Sequence, residues 1–190
     1  VGGRYAGVSL AIPTLAALTP KDVEVVLVDE NITPIDFEEK IDLVGITMNV
    51  AMASRSYAIA DEFRKRGVPV ILGGFYPSMV PEEAMQRADA VVIGEAEEIW
   101  GTVIGDFQSG RLQKSYRAPH YSDLSRSVIP RWDLLSSKSY TYFCVETTRG
   151  CPFNCDFCSV THLFGGKYRH KPIENIVREI ETMPWAGIEV

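Results

Sequence analysis

Three of the four cysteines fall within eight residues, in the string Arg149-Gly-Cys-Pro-Phe-Asn-Cys-Asp-Phe-Cys158, spaced C-x3-C-x2-C. Cysteines that staple a secreted fold are spread along the chain, so a cluster of this density points to metal and to a reducing compartment. Thiolates hold iron–sulfur clusters, and four of them would close all four irons. Three thiolates on one tight loop leave one iron with an open position for another ligand. Gly150 and Pro152 let the backbone wrap closely, and Phe157, directly before the last cysteine, is placed to shield one cluster face and tune its potential. Zinc is the rival reading, because His162 lies four residues beyond Cys158 and completes a Cys3His set. Cys144, between apolar neighbours, reads as a buried and inert core residue.

The rest of the chain decides what carries this loop. Short β-branched or apolar runs at residues 23–29, 43–48, 68–72 and 90–93 read as buried strands. They alternate with helical patterns at residues 8–18, 54–66, 81–87 and 97–107. In the 54–66 helix, Tyr57, Ala58, Ile59 and Phe63 share the apolar face, and Gly67 ends it. Pro81 opens the next helix, with Glu82 and Glu83 in its first turn. Alternation at this spacing predicts an α/β fold with a parallel sheet and right-handed crossovers. In a flavodoxin-like (Rossmann-type) order of 2-1-3-4-5, a strand before the first helix is central; none is read there, so the domain is expected to lack it.

Residues 111–141 change character, with Pro119, Pro130 and five serines between 122 and 137, and read as a connector with a short strand at 112–116. A strand at 142–147, the cysteine loop at 148–169, a helix at 172–183 and a strand beginning at Ile188 follow. The helix presents Ile173, Ile176, Val177 and Ile180 on one face. Strand, loop, helix, strand is the repeating unit of a (β/α) barrel. The domains are therefore read as 1–110, an α/β sheet domain; 111–141, the connector; and 142–190, the start of a barrel. The absence of an initiator Met, and an ending on Gly187-Ile-Glu-Val, read as a fragment cut at both ends, inactive by itself.

The C-x3-C-x2-C string, with an aromatic before its last cysteine, after a strand and before a barrel helix, resembles the radical S-adenosylmethionine (SAM) superfamily. That resemblance implies a 4Fe–4S cluster on Cys151, Cys155 and Cys158, with SAM bound to the open iron through its amino and carboxylate groups. It implies reductive cleavage of SAM to methionine and a 5′-deoxyadenosyl radical, which abstracts hydrogen from an unreactive carbon. Arg169, in the segment entering the helix, reads equally as a SAM or substrate contact and as a solvated base. The sheet domain upstream, with Gly73-Gly-Phe-Tyr-Pro-Ser, Pro81-Glu-Glu and Gly94-Glu-Ala-Glu97 in order, resembles the cobalamin-binding subfamily of these enzymes. Ligands of such sheets sit at the C-terminal strand ends, which here carry Thr47, Met48, Asn49, Gly73, Gly74, Gly94 and Glu95 as candidate cobalamin contacts. Glycine there permits positive φ and close approach of a corrin. Many cobalamin domains present a histidine to cobalt from a D-x-H-x-x-G loop; that loop would fall near or before Val1, and the histidines of this chain, His120, His162 and His170, all lie outside the sheet domain, so cobalt takes a histidine from a cut-away segment or none.

Three functions remain open at this point. The first is a cobalamin-dependent radical SAM enzyme acting by methylation, rearrangement or cyclisation on a small molecule. The second is a radical SAM enzyme whose sheet domain is only a scaffold. The third is a non-enzymatic zinc or electron-transfer module. The resemblance implies a reducing electron donor such as flavodoxin or ferredoxin, and the oxygen sensitivity of an open cluster implies a well-reduced cytoplasm. A net charge of −6 argues against a nucleic-acid surface, and no apolar run is long enough to span a bilayer.

Overall fold

The computed structural model describes residues 5–7, 9–135 and 139–184. A three-residue strand, β1 (Tyr5–Gly7), precedes α1 (Ala11–Leu18). Helix α1 stops before Pro20, where Thr19 turns extended and returns both its amide and its hydroxyl to the carbonyl of Leu15. β2 (Val44–Thr47) leads through a single 3-10 turn to α2 (Ala53–Lys65). Gly67, at φ +78, ends that helix as expected. β3 (Val70–Gly73) is followed by two short helices, α3 (Phe75–Met79) and α4 (Pro81–Arg87), the second opening on proline. β4 (Ala90–Ile93), α5 (Trp100–Gln108) and β5 (Ser115–Arg117) complete the alternation. Beyond them lie β6 (Tyr140–Tyr142), β7 (Thr148–Arg149), α6 (Val160–Phe164), β8 (Arg169–His170) and α7 (Ile173–Thr182).

These elements form two compact units, one of Asp36–Ser122 with Gly150–Tyr168, the other of Val1–Ile35, Asp123–Arg149 and Arg169–Val190. The first holds a four-stranded, all-parallel sheet in the order β2-β3-β4-β5. Its inner strands are buried throughout Val70–Leu72 and Ala90–Ile93, as expected for a parallel sheet covered by its crossover helices. Ile59, Ala60 and Phe63 of α2, Ala84 of α4, and Trp100, Val103 and Ile104 of α5 complete that core. Asp89 pins the start of β3: its carboxylate accepts from the Val70 amide at 2.8 Å and from the Arg64 guanidinium at 3.2 Å.

The second unit contains β1 paired in parallel with β6, and β7 paired antiparallel with β8. Trp132 and Tyr140 centre its apolar cluster, with Leu10, Ile32, Leu135, Phe143 and Met183 packed against them. The Tyr140 phenol donates to Asp29 at 3.0 Å; burial first, and that acceptor second, raise its pKa. Lys171 and Glu179 form a buried ion pair at 2.5 Å, tying the start of α7 to its last turn.

Several expectations are corrected. A strand does precede the first helix, and it pairs with β6. Residues 23–29 form no strand: their alternate residues are half-buried and exposed, Val26 is 56% exposed, and no described ladder partner bonds them. β-Branched composition favours an extended backbone, but only a neighbouring backbone makes it a strand. Ala58 is exposed, and Ser56 with Ala60 takes its place on the buried stripe of α2. The strand expected at 142–147 lies at Tyr140–Tyr142, which leaves Cys144 half-buried in an irregular segment instead of in a core strand. On α7 the apolar face is only partly covered: Ile176 is half-buried, Ile173, Val177 and Ile180 are exposed, and Glu179 is the buried residue. The strand expected from Ile188 lies outside the described residues. Among the described residues, no helix is long and apolar enough to cross a membrane.

The buried pair yields a prediction. Lys171→Met alone strands the Glu179 carboxylate and is expected to cost about 3–5 kcal/mol in urea unfolding, whereas Lys171→Met with Glu179→Leu recovers most of that loss. Equal losses in the single and double variants would contradict it.

Candidate functional site

Because the four strands are parallel, their C-terminal ends share one edge, and the loops there meet. The Met48 amide donates to Gly73 O at 3.1 Å and the Tyr76 amide to Met48 O at 3.1 Å, which brings Thr47, Met48, Gly73 and Gly74 together. The Met48 side chain is 2% exposed, so it belongs to the core and leaves only its backbone for a ligand. The Asn49 side chain caps the following 3-10 turn, accepting from the amides of Ala51 and Met52.

The glycines play different parts. Gly74 sits at φ +90, ψ −160, a region open essentially to glycine alone. A Cβ there would lie 2.5 Å from Thr47 Oγ1 and 3.1 Å from the backbone of Met48. Its missing side chain therefore serves the close packing of two loops. Gly94, at φ +81, has nothing within 4 Å of an added Cβ and faces open space. Ser78 couples the two: its hydroxyl donates to Gly74 O at 2.7 Å and accepts from the Gly94 amide at 2.8 Å. Glu95, 7% exposed, is turned inward and accepts from the Ser122 amide at 2.8 Å, with Glu97 taking the Ser122 hydroxyl at 3.3 Å. Behind these loops, burial and then Glu83 push the Tyr57 phenol up to about 12, so it stays neutral.

The cysteine loop belongs to the same unit. Gly150, at φ +90, approaches the returning limb so closely that a Cβ would collide with Lys167 O and stand 3.0 Å from Phe164 O. The Cys151 amide donates to Gly165 O at 3.1 Å, and the Cys158 amide to Cys155 O at 3.0 Å. The Thr161 hydroxyl reaches Phe153 O at 2.8 Å and Cys151 O at 3.4 Å, stitching α6 to the turn between the first two cysteines. Cys151 and Cys158 are half-buried, Cys155 is exposed, and none of the three is in a disulfide. Phe157 is 93% exposed and covers no sulfur. Among the described residues no three His, Cys, Asp or Glu side chains already converge on one metal-sized point, His162 included. Arg169, whose partner β7 residue is Arg149, brackets the loop in sequence.

Helix α6 packs on α3, with the rings of Phe164 and Phe75 6.4 Å apart. The Tyr121 ring lies over Gly165, where an added Cβ would come within 2.8 Å of Tyr121 Cε2. The cysteine loop thus rests against segments that carry the strand-end loops. Sequence reasoning missed Ser78, Tyr121 and Thr161. Only Thr161 carried a signal, a hydroxyl three residues after Cys158.

Residues 4–104 match the family model described as B12 binding domain, and residues 145–190 match that of the radical SAM superfamily. The chain belongs to the radical SAM superfamily, in the branch that carries a B12-binding domain. It is 36% identical over 184 residues to bacteriochlorophyllide d C-8(2)-methyltransferase of Chlorobaculum tepidum, an alignment covering 90% of this chain and 40% of that protein. It is 29% identical to the anaerobic magnesium-protoporphyrin IX monomethyl ester cyclase of Rubrivivax gelatinosus, over 76% of this chain and 31% of the cyclase. The chain therefore spans well under half the length of these relatives. Among solved structures, TsrM of Kitasatospora setae, a radical SAM methyltransferase with cobalamin and a 4Fe–4S cluster bound, superposes with a TM-score of 0.53. That match, at 17% identity over 76% of this chain and 35% of TsrM, supports the shared fold.

The contrast between the two strand-end glycines is measurable. Gly94→Ala bears only its positive φ and is expected to cost about 1–2 kcal/mol. Gly74→Ala adds a collision with Thr47 and is expected to cost clearly more, read as a larger fall in the thermal unfolding midpoint. Equal midpoints would remove the packing role given to Gly74.

Proposed function

We propose that this chain carries the cobalamin-facing sheet and the cluster-binding loop of a radical SAM enzyme that transfers a methyl group to a small molecule. The observation that carries this reading is the cysteine loop itself. Three reduced thiols sit on one loop whose turns are built by two positive-φ glycines, and that loop packs on the loops at the ligand edge of a parallel sheet. The donor set fits a cluster chemically: it is all thiolate, and Cys144, the fourth cysteine, lies in the other unit. Cys151, Cys155 and Cys158 would hold the cluster and leave one iron free of protein sulfur. With SAM on that iron, a 4Fe–4S cluster supplies reductive cleavage to methionine and a 5′-deoxyadenosyl radical.

The residues of this chain bind and orient. Gly150 and Thr161 set the curvature of the loop, and Gly165 O holds the first cysteine's backbone. At the sheet edge, a corrin would meet the open space beside Gly94 and the backbone at Thr47, Met48, Asn49, Gly73 and Gly74; the buried Glu95 carboxylate is already taken by the Ser122 amide. No histidine lies in the described sheet between residues 44 and 117, so cobalt there would take no histidine from it. Methylation is favoured over cyclisation because the 36%-identical relative is named a methyltransferase. Relatives named for bacteriochlorophyllides and a magnesium-protoporphyrin ester favour a flat tetrapyrrole as substrate. A low-potential donor such as flavodoxin or ferredoxin and a reducing cytoplasm follow from the open cluster.

Anaerobic reconstitution of the full chain with iron and sulfide is the test. The wild type should take up about four irons and four sulfides, and its absorbance should bleach on reduction and shift with SAM. Cys151→Ala, Cys155→Ala and Cys158→Ala should each lose the cluster, and Cys144→Ala should keep it. Stoichiometric zinc without iron would overturn the assignment. Retention of added hydroxocobalamin through a desalting column separates a corrin-binding sheet from a scaffold.

A further inference from the structure

The strand-end loops and the cysteine loop are connected through named contacts within one unit. The buried Glu95 carboxylate, directly after Gly94, accepts from the Ser122 amide at 2.8 Å, and so fixes the backbone next to Tyr121. The Tyr121 ring closes over Gly165, leaving no room for even a methyl group. Gly165 O in turn accepts from the Cys151 amide at 3.1 Å. A second route runs from Gly74 through the adjacent Phe75 to the ring of Phe164, the residue before Gly165. Ser78 ties the origins of the two routes together through Gly74 O and the Gly94 amide. Both routes end on residues 164 and 165, where the loop returns beside its first cysteine.

We propose that Glu95, Tyr121 and Phe75 are positioning residues through which the ligand-edge loops of the sheet hold the returning limb of the cysteine loop, and with it Cys151. This deepens the preceding reading and rests on it for the identity of the ligands. The physical basis is that Gly165 and Gly166, where the limb turns back, have no side chains to anchor them. From outside the loop, the Phe75 ring meets Phe164 and the Tyr121 ring meets Gly165. A change at the Gly94–Glu95 loop reaches Cys151 through a single amide, a ring and a carbonyl. Cys155, exposed and in none of these bonds, stands outside the path.

The readout is the alkylation rate of each thiol, followed by mass spectrometry on the metal-free, reduced full chain with iodoacetamide as probe. Tyr121→Ala should raise the Cys151 rate about three- to tenfold and leave Cys155 and Cys144 unchanged. Tyr121→Phe, which keeps the ring, should match the wild type. Glu95→Ala should act in the same direction, and the Glu95→Ala/Tyr121→Ala pair should do no more than Tyr121→Ala alone, because the two lie on one route. Phe75→Ala should add to Tyr121→Ala, since it lies on the other. Far-UV circular dichroism checks each variant, and Glu95→Ala carries the test if Tyr121→Ala does not fold. An unchanged Cys151 rate in folded Tyr121→Ala and Glu95→Ala, or a parallel rise at Cys144, would overturn the proposal. A responsive Cys151 in a protein that takes up no iron would leave this linkage standing and remove the cluster assignment. Iron uptake with an unresponsive Cys151 would do the opposite.

Discussion

The amide of Cys151 donates to the carbonyl oxygen of Gly165, and that bond determines where the cysteine loop turns back on itself. It forms only because Gly150 adopts a positive φ with no Cβ, in a space already bounded by the carbonyls of Phe164, Gly165 and Lys167. Thr161 adds a hydroxyl bond to Phe153 O across the same turn. Without these constraints the three thiols would be separate points on a flexible segment, and ordering them at the moment of metal binding would cost conformational entropy. A loop built this way would enter metal binding with its backbone path set. Binding free energy of a cluster would then go into closing side chains instead of folding backbone.

The parallel sheet supplies the surface on which this is possible. Parallel strands put all their C-terminal ends on one edge, and the connections after β3 and β4 leave it through positive-φ glycines, Gly74 and Gly94. At this edge glycine does two unlike jobs. Gly74 is a packing residue, the space of its missing side chain taken by Thr47 and Met48, whereas Gly94 borders open space. A ligand approaching the edge would meet backbone at the first and room at the second. The inward turn of Glu95 follows from the same geometry, because a buried carboxylate needs donors and the Ser122 amide and hydroxyl lie beside the two glutamates.

Much of the fold was legible along the chain, and the errors share one cause. β2, β3, β4 and α4 were readable because their patterns are local: unbroken apolar runs between helices, and proline at a helix start. Residues 23–29 look the same by composition and form no strand, and α7 has a clean apolar stripe that stays mostly exposed. Composition and periodicity describe what one segment can offer to a neighbour. They contain no information on whether the neighbour is in place. The half-buried position of Cys144 has the same origin, since the strand expected around it begins and ends earlier.

The spacing of Cys151, Cys155 and Cys158 by itself narrowed the chemistry open to this loop to a three-thiolate cluster or a zinc site completed by His162, because thiol count and separation limit which metal centre a loop can hold. The alternation of strands and helices likewise determined an α/β sheet with a ligand edge. Only the tertiary structure decided that Phe157 stands in solvent, that Met48 belongs to the core, and that Glu95 is buried against the Ser122 amide. It also decided that Tyr121 and Phe75, far from the cysteines in sequence, are the residues that grip the loop. The reason is physical: donor type is a property of one side chain, whereas direction, burial and grip are set by residues that are distant in sequence and meet only after the chain has folded.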